Sequence, residues 1–318
     1  MRALITGGAG FIGSHVVDKL LDRGIQVFVY DLPGVQHRVP PSDAVFIPGS
    51  ILDMDALRVT MAGMDVVYHL AAVADVNDVY QDPQYAESIN VRGTINVLEA
   101  ARRAKVSRVI YGSTTWVYSE AEGTVVDEDT PLKPPSHLYT ATKLTSEYYC
   151  ISYDRLYGLA STILRYGIPY GPRARDGAVI PNFVSKALRG ETLTITGDGS
   201  NYRRFVYVED LAEGNVLALK AAAAHNTYNL DGAVNITVRQ IAETICEIVG
   251  SAGIEYAEAR PGDFAGKECL SQRAKDQLGW EPRTSFDEGV RRYIQWYQAR
   301  ETSRKDEWER LDSELGVT

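Results

Sequence analysis

A tyrosine and a lysine spaced by about one helical turn are the first candidates for chemistry, in the segment PPSHLYTATKLTSEYY, residues 134–149. The segment has the pattern of an amphipathic helix, and residues four apart on a helix share a face, about 5–6 Å apart. Tyr139 and Lys143 can therefore act as a unit. A tyrosine ordinarily has a pKa of about 10, and a neighbouring ammonium would lower that pKa toward neutrality. The pair predicts a general acid/base, the alternative being a surface pair with Lys143 in solvent.

A glycine-rich turn supplies the second element of chemistry. The sequence TGGAGFIG ends a short apolar strand and opens a helix, with Gly7, Gly10 and Gly13 at three-residue intervals. Glycines at such a turn let the backbone approach a pyrophosphate, which then lies at the positive end of the helix dipole. Asp31 ends the second strand, where a carboxylate accepts hydrogen bonds from both ribose hydroxyls and repels a 2′-phosphate. The pattern predicts a site for NAD rather than NADP, and an oxidised nicotinamide would add positive charge beside the tyrosine.

Short apolar strands alternate with longer helical patterns up to about residue 166. The strands are RALIT, QVFVYD, AVFIPG, DVVYHLAA, RVIYGST and STILRY, and the longest helices are expected at about Pro83–Lys105 and Ser136–Leu156. Strands that alternate with helices form parallel sheets through right-handed crossovers. The pattern predicts an α/β fold, a Rossmann-type doubly wound parallel sheet with a smaller, mostly C-terminal substrate-binding domain.

The alternation ends after Arg165, where the stretch YGIPYGPRARDG has the composition of a long loop. Irregular material that follows such a sheet is where an α/β protein would build a cover for its substrate. The predicted boundaries are 1–166 with returning segments at about 205–233 for the NAD-binding domain, 167–204 and 234–300 for the substrate-binding domain, and 301–318 for a charged tail that is either a surface helix or frayed.

Composition narrows the class of protein. The 318 residues are 45% hydrophobic and 24% charged, which is typical of a globular protein with a large and a smaller domain. The net charge of -9 argues against a nucleic-acid partner, because phosphate backbones are held by clustered Lys and Arg. Three scattered cysteines argue against a disulfide framework or a metal site. With no signal-peptide pattern and no stretch of about 18 apolar residues, we expect a cytosolic protein without a membrane partner.

Several further motifs follow the glycine-rich turn in a definite order. They are HLAA at 69–72, STTWVY at 113–118, YTATK at 139–143, YGPR at 170–173, GDGSNYRRFVYVED at 197–210, RPGD at 260–263 and LGWEP at 278–282. The order resembles that of the extended short-chain dehydrogenases/reductases, and the pattern is most similar to nucleoside-diphosphate-sugar epimerases of the UDP-glucose 4-epimerase type. The resemblance covers residues 1 to about 297.

The resemblance implies three catalytic residues. Tyr139 would be the acid/base, and Lys143 would tune it while holding the nicotinamide ribose. Thr114 would hydrogen-bond the sugar hydroxyl and Tyr139, with Ser113 as a neighbour that could share the role.

The resemblance also implies residues that bind the substrate and the cofactor. Arg203 and Arg260 would bind the substrate diphosphate, with Arg204 as a possible replacement for Arg203. Asn90 would fix the active-site helix through backbone contacts, the alternative being an ordinary helix-start residue. The implied contacts to NAD are those of Gly7, Gly10, Phe11, Ile12, Gly13, Asp31, Ser50, Ile51, Leu70, Ala71, Ala72, Asn90, Tyr139, Lys143 and Tyr166.

The sequence departs from the family pattern at several positions. Members that dehydrate or decarboxylate have an acidic residue just before the VY dipeptide, where this chain has Thr115 and Trp116. Trp116 is either an aromatic packed under its loop or a wall against the sugar. Gly167 and Ile168 replace a Phe and an Asn, which puts the nucleotide pocket in doubt, and Ser50 replaces an Asp near the adenine.

The function that the resemblance implies is NAD-dependent epimerisation at carbon 4 of a nucleoside-diphosphate hexose, a UDP-hexose first of all, through a transient 4-keto sugar. Alternatives are a nucleotide-sugar dehydratase, decarboxylase or reductase of the same family, and a non-catalytic NAD-binding regulator. The family also implies a homodimer, paired through the two long helices. The sequence specifies neither the sugar, nor the nucleotide, nor the product.

Overall fold

The computed structural model of the chain describes residues 1–35, 43–250, 252–258 and 267–315, with side chains as far as residue 303. Its strands are β1 (Arg2–Thr6), β2 (Gln26–Asp31), β3 (Val45–Pro48), β4 (Val66–His69), β5 (Arg108–Thr114), β6 (Val125–Val126), β7 (Ala160–Tyr166), β8 (Ile168–Tyr170), β9 (Leu193–Thr196), β10 (Tyr202–Tyr207), β11 (Asn226–Leu230), β12 (Asn235–Thr237), β13 (Ile254–Ala257) and β14 (Glu268–Cys269). Its helices are α1 (Phe11–Leu21), α2 (Met54–Thr60), α3 (Val76–Gln81), α4 (Pro83–Glu87), α5 (Gly93–Arg103), α6 (Leu138–Tyr157), α7 (Val179–Leu188), α8 (Val208–Leu217), α9 (Val238–Val249) and α10 (Phe286–Leu315).

Seven strands form one parallel sheet in the order β11-β7-β5-β4-β1-β2-β3. The chain winds outward from β1 through β2 to β3, then returns to the other side of β1 at β4. Ligands of such sheets bind outside the carboxyl ends of the strands, at the point where the winding reverses. The predicted α/β fold with a doubly wound parallel sheet is confirmed.

The core lies on both faces of this sheet. β1 sends Ala3 and Ile5 to one face and Leu4 to the other. The first face is covered by α1 and α8, and the second by α2, α5 and α6. Because helices cover both faces, the strands read as nearly continuous apolar runs instead of alternating apolar and polar residues.

The chain divides into two compact units. The first comprises Met1–Pro169, Arg204–Asn235 and Gly266–Pro282 and contains the seven-stranded sheet. The second comprises Tyr170–Arg203, Ile236–Ala265 and Arg283–Thr318; in it β9 pairs with β13, and α9 begins with a capping box in which Thr237 and Gln240 bond each other's backbone. Helix α10 continues as far as Leu315, through most of the stretch expected to be a charged tail.

One sequence boundary needs correction. Residues 266–282 were expected in the substrate-binding domain, but Gly266–Pro282 belongs to the first unit. The physical reason is burial: Trp280 is 1% exposed in the core, and its indole N–H donates to the carbonyl oxygen of Asp210 at 2.8 Å.

The described ranges lack two kinds of feature. No helix there is long and apolar enough to cross a membrane. No group of three or more His, Cys, Asp or Glu side chains is arranged there to hold a metal ion.

Candidate active site

The glycine-rich turn between β1 and α1 has no room for side chains. Gly7 has a φ of +74°, and a Cβ on it would lie 2.6 Å from the backbone nitrogen of Ala71. A Cβ on Gly13 would overlap the carbonyl oxygen of Gly7. Helix α1 begins at Phe11 without a capping side chain, so the N–H groups of Phe11 and Ile12 in its first turn are not occupied by one. This cradle of bare backbone at a helix N-terminus fits a dinucleotide pyrophosphate.

Asp31 is held over this turn by backbone N–H groups. One carboxylate oxygen accepts from Ala9 N at 2.9 Å, and the other accepts from Leu32 N at 2.8 Å. Each carboxylate oxygen has a further lone pair, which leaves Asp31 able to accept hydrogen bonds from the two hydroxyls of a ribose.

Ser50 and Ile51 follow β3 in a turn that is tied to its surroundings. The Tyr30 hydroxyl donates to Ser50 O at 3.0 Å, and Ser50 Oγ accepts from Leu52 N at 3.2 Å. Ile51 is 5% exposed and fills the space beside Gly93, where a Cβ would overlap it. The Ser50 hydroxyl therefore closes its own turn.

The segment after β4 passes directly beside the glycine-rich turn. Leu70 N donates to Thr6 O at 3.0 Å, and Ala71 and Ala72 follow, both partly buried. Asn90 fixes the next residue, since its amide accepts from Val73 N at 2.8 Å and donates to Val73 O at 3.0 Å.

Asn90 also reaches the helix that carries the tyrosine and lysine. It lies in a π-helical turn, Ser88–Arg92, and its Nδ2 donates to Thr142 Oγ1 at 3.0 Å. Ser146 Oγ donates in return to Asn90 O at 2.7 Å. Because Asn90 is 2% exposed and bonds both α6 and the segment after β4, it is more than an ordinary helix-start residue.

Tyr139 and Lys143 lie one turn apart on α6. Lys143 is 4% exposed, so the alternative in which it points into solvent is wrong. Its Nζ donates to Gly112 O at 2.5 Å and lies 4.5 Å from the centroid of the Tyr111 ring. Burial lowers the pKa of Lys143 to about 8, and the negative charge of Glu147 opposes that shift.

Ser113 and Thr114 end β5 but face different partners. Ser113 Oγ donates to Glu147 Oε1 at 2.5 Å and is committed to α6. Thr114 Oγ1 accepts from Trp116 N at 3.2 Å, and no acceptor for its own proton is found in the part of the chain that the structure describes. Of the two hydroxyls, that of Thr114 is the one able to donate to a ligand.

The remaining predicted residues fall in different places. Tyr166 donates to Asn215 Oδ1 at 2.6 Å, and burial raises its pKa, so its hydroxyl is committed to α8. Arg203 belongs to the second unit, where its Nη1 donates to Tyr202 O at 2.7 Å. Arg260 lies outside the described residues.

Arg204 is bound within the first unit. Its guanidinium donates to Ala233 O, Asn235 Oδ1, Cys269 O and Glu268 Oε1 at 2.9–3.2 Å. It is therefore a poor replacement for Arg203 as a phosphate ligand.

The departure at Gly167 has a structural reason. A Cβ on Gly167 would collide with the carboxylate of Asp231, which follows β11 and is 3% exposed. Burial raises the pKa of Asp231 to about 7. The space that a larger side chain at position 167 would need is occupied by this carboxyl group.

Trp116 is not packed under its loop. It is 37% exposed, and its ring meets that of His137 edge to face, with the centroids 5.8 Å apart. His137 immediately precedes α6, two residues before Tyr139, and Trp116 is two residues after Thr114. The two rings are therefore close in sequence to two of the predicted catalytic residues.

Sequence reasoning assigned no role to three buried polar residues, His69, Glu147 and Arg165. Thr94 donates its proton to Asn90 O, so its oxygen accepts from His69 Nε2, and His69 Nδ1 in turn accepts from Thr6 Oγ1. Burial lowers the pKa of His69 to about 3, so this imidazole is neutral. The sequence feature that could have identified these residues is a polar residue within an otherwise apolar strand, such as Arg165 in STILRY.

Comparison with known proteins places the chain in a family. A family model described as the NAD dependent epimerase/dehydratase family matches residues 3–231. The chain is 35% identical over 301 residues to a putative UDP-glucose 4-epimerase of Methanocaldococcus jannaschii, covering 92% of this chain and 97% of that protein. It is 31% identical over 315 residues to a UDP-N-acetyl-alpha-D-glucosaminuronate decarboxylase of Bacillus cytotoxicus, covering 93% of this chain and 98% of that protein.

A solved structure agrees with these relatives. The crystal structure of a Thermotoga maritima UDP-glucose 4-epimerase with UDP-glucose has a TM-score of 0.88 and 33% identity, covering 94% of this chain and 99% of that one. The similar proteins carry different activities in their names, so they define the family and its cofactor but not the reaction. The chain belongs to the NAD-dependent epimerase/dehydratase family, whose members are enzymes that act on nucleotide sugars with NAD as their cofactor.

Proposed function

We propose that the protein epimerises carbon 4 of a nucleoside-diphosphate hexose, with a UDP-hexose as the first candidate, through a transient 4-keto sugar. The observation that supports this most is the burial of Lys143 on the same helix face as Tyr139, in the unit that also contains the glycine cradle. A buried ammonium one turn away favours the phenolate, which is the base that removal of a hydroxyl proton requires.

The residues of this unit divide the work. Tyr139 takes the proton of the hydroxyl on carbon 4 and returns it at the end of the cycle. Thr114 donates a hydrogen bond to the same region of the sugar, and Lys143 holds the nicotinamide ribose with the N–H groups that Gly112 O leaves available. When bound, NAD supplies a reversible acceptor for the hydride of carbon 4. The glycine turn and Asp31 hold its pyrophosphate and adenosine ribose.

The substrate is anchored through its diphosphate. We assign this role to Arg203 and Arg260, because a guanidinium makes paired, charge-assisted hydrogen bonds to phosphate oxygens. Firm binding of the diphosphate would leave the hexose free to present either face of carbon 4. Because Arg204 already donates to other acceptors, we assign this role to Arg203 rather than to Arg204.

Dehydration and decarboxylation are the second candidates. They are less favoured because Thr115 and Trp116 provide no carboxylate before Val117. A non-catalytic NAD-binding regulator is disfavoured as well, because such a protein has no need of a buried lysine beside a tyrosine.

Incubation with a panel of nucleotide sugars tests the proposal. We expect a product of unchanged mass, and Tyr139→Phe should reduce turnover by about 100- to 10,000-fold while the fold and NAD binding remain. The matched control is Tyr149→Phe on the same helix, where the side chain is 39% exposed and turnover should be unchanged. A product lighter by water or carbon dioxide would identify the second candidates. Retention of more than about a tenth of the wild-type rate by Tyr139→Phe would assign the proton transfer to another group.

A further inference from the structure

Glu147 continues the row of Tyr139 and Lys143. The three residues are spaced by four along α6, so they share one face of the helix. Glu147 is 1% exposed, and a carboxylate at that depth requires compensation by positive charge and hydrogen bonds.

The compensation comes from the two strands beneath the helix. Arg165 of β7 donates to Glu147 Oε1 from Nε at 3.0 Å and to Oε2 from Nη2 at 2.7 Å, a forked ion pair. Ser113 of β5 donates to the same Oε1. Since Lys143 bonds Gly112 O, the end of β5 is tied to α6 at two successive residues.

The ion pair of Glu147 and Arg165 is also held by Tyr118, which contacts the guanidinium of Arg165. Arg165 Nη1 donates to the Tyr118 hydroxyl at 2.6 Å, and the guanidinium carbon lies 5.0 Å from the centroid of the Tyr118 ring. The Tyr118 hydroxyl donates to Asn229 Oδ1 at 2.9 Å. Each of the three guanidinium nitrogens of Arg165 therefore donates to an acceptor. This fixes the orientation of the Glu147 carboxylate.

Within the described residues, a single anion acts on Lys143. Its titratable neighbours are Tyr139, Glu147 and Cys150 on its own helix, Tyr111 on β5 and His69 on β4. Burial raises the pKa of Tyr111 and of Cys150 and lowers that of His69, so these three are neutral near pH 7. Among the described residues, Glu147 is the carboxylate that acts on Lys143, although the two form no ion pair within 4.0 Å.

We propose that Glu147 is a positioning residue of this site, which fixes the end of β5 against α6 and supplies the negative charge that keeps the buried Lys143 an ammonium. The proposal rests on the proposed function, in which the ammonium of Lys143 favours the phenolate of Tyr139. Arg165 holds Glu147 in place through the forked ion pair, and the charge of Glu147 still raises the pKa of Lys143 against the lowering by burial.

Glu147→Gln tests the charge while keeping the shape of the side chain. The readout is the near-ultraviolet absorbance of tyrosinate against pH, taken as the difference between each protein and its Tyr139→Phe counterpart, so that only Tyr139 contributes. In Glu147→Gln this titration should move to higher pH by about one unit, a tenfold change in the phenolate fraction at a given pH. The rate constant for turnover should fall with it, and the Michaelis constant much less, because the change acts on proton transfer.

Two further variants separate this role from a purely structural one. The double variant Glu147→Gln/Arg165→Gln leaves no unpaired buried charge, and its titration should remain shifted. Glu99→Gln removes an ion-paired carboxylate on α5 that is not among the groups acting on Lys143, and it should leave the titration unchanged. A wild-type titration in either folded Glu147 variant would overturn the proposal, and so would failure of both to fold, which would make the pair a folding requirement. The titration needs no substrate, so a failure of the epimerase proposal appears separately in the sugar panel.

Discussion

Asp231 and Gly167 occupy one volume at the carboxyl edge of the sheet. Tyr166 and Leu230 are register partners at the ends of β7 and β11, so the residues that follow them lie side by side. The carboxyl group of Asp231 fills the position of a Cβ on Gly167, and Gly232 N donates to it at 2.8 Å. Only a glycine at position 167 therefore leaves room for the carboxyl group of Asp231.

The pKa of Asp231 makes stability depend on pH. Burial raises this pKa from its ordinary value of 3.8 to about 7. A raised carboxyl pKa favours the folded state when the group is protonated, so this stabilisation is present below pH 4 and is lost as the pH rises through 7. Relative to Asp231→Asn, the wild type should lose up to about 4 kcal/mol between pH 4 and pH 8.

Denaturant midpoints measured in parallel at several pH values would check this. The control is Asp55→Asn, whose side chain is 91% exposed and pairs with Arg58, and it reports the effect of removing a surface carboxylate. A constant difference between the wild type and Asp231→Asn across the range would mean that Asp231 is charged throughout.

Local spacing was sufficient to predict how some residues of the candidate site are placed, but not others. Tyr139, Lys143 and the glycine turn were predictable because each motif lies within a single helix or turn. Asp231 was not, because its environment is created by a strand more than sixty residues away along the chain. Pairings such as that of Glu147 with Arg165 likewise depend on which helix covers which strand, which spacing alone does not specify.

At the scale of elements, the π-helical turn is the least expected feature. A single helix was predicted at Pro83–Lys105, whereas the structure has α4, the turn Ser88–Arg92 and then α5. The extra residue in the turn directs Asn90 toward Val73 and Thr142. By contrast, the helix predicted at Ser136–Leu156 agrees with α6 within two residues, because an αL glycine, Gly158, ends it.

Asn90→Ala should loosen the connection between these elements. It removes three hydrogen bonds and leaves partly buried partners at Val73 and Thr142 without them, each loss costing at most roughly 1–3 kcal/mol. We expect a destabilisation of about 2–4 kcal/mol and faster amide hydrogen exchange at Val73 and in the first turns of α6.

The matched control for this variant is Asn96→Ala on α5. Asn96 makes one hydrogen bond, from Nδ2 to Ile51 O at 3.0 Å. Its loss should leave exchange at Val73 and α6 unchanged. Equal protection of Val73 in Asn90→Ala and the wild type would show that the turn does not depend on the amide.

At the scale of the whole molecule, the outer face of the helical layer that contains α6 exposes several large apolar and aromatic side chains. Its exposed side chains include four on α6 and two from α3 and α4, namely Leu138, Tyr148, Tyr149, Leu156, Tyr80 and Tyr85. Exposed apolar patches of this kind mark interaction surfaces. We propose that a second copy of the chain covers this face, in the homodimer that the family resemblance implies, since a two-fold axis lets one patch complement itself.

The dimer is tested by mass in solution. The wild type should have twice the 35.1 kDa of the chain at micromolar concentration in light scattering. Tyr148→Glu/Leu156→Glu places two charges on a face that pairs with itself, so four carboxylates would meet in the dimer and the monomer should predominate. These side chains are 56% and 73% exposed, so the monomer itself should stay folded. Val59→Glu, at a site 79% exposed on α2, adds a charge elsewhere and should leave the dimer intact. A wild type of monomer mass, or a double variant that remains dimeric, would exclude this face as the interface.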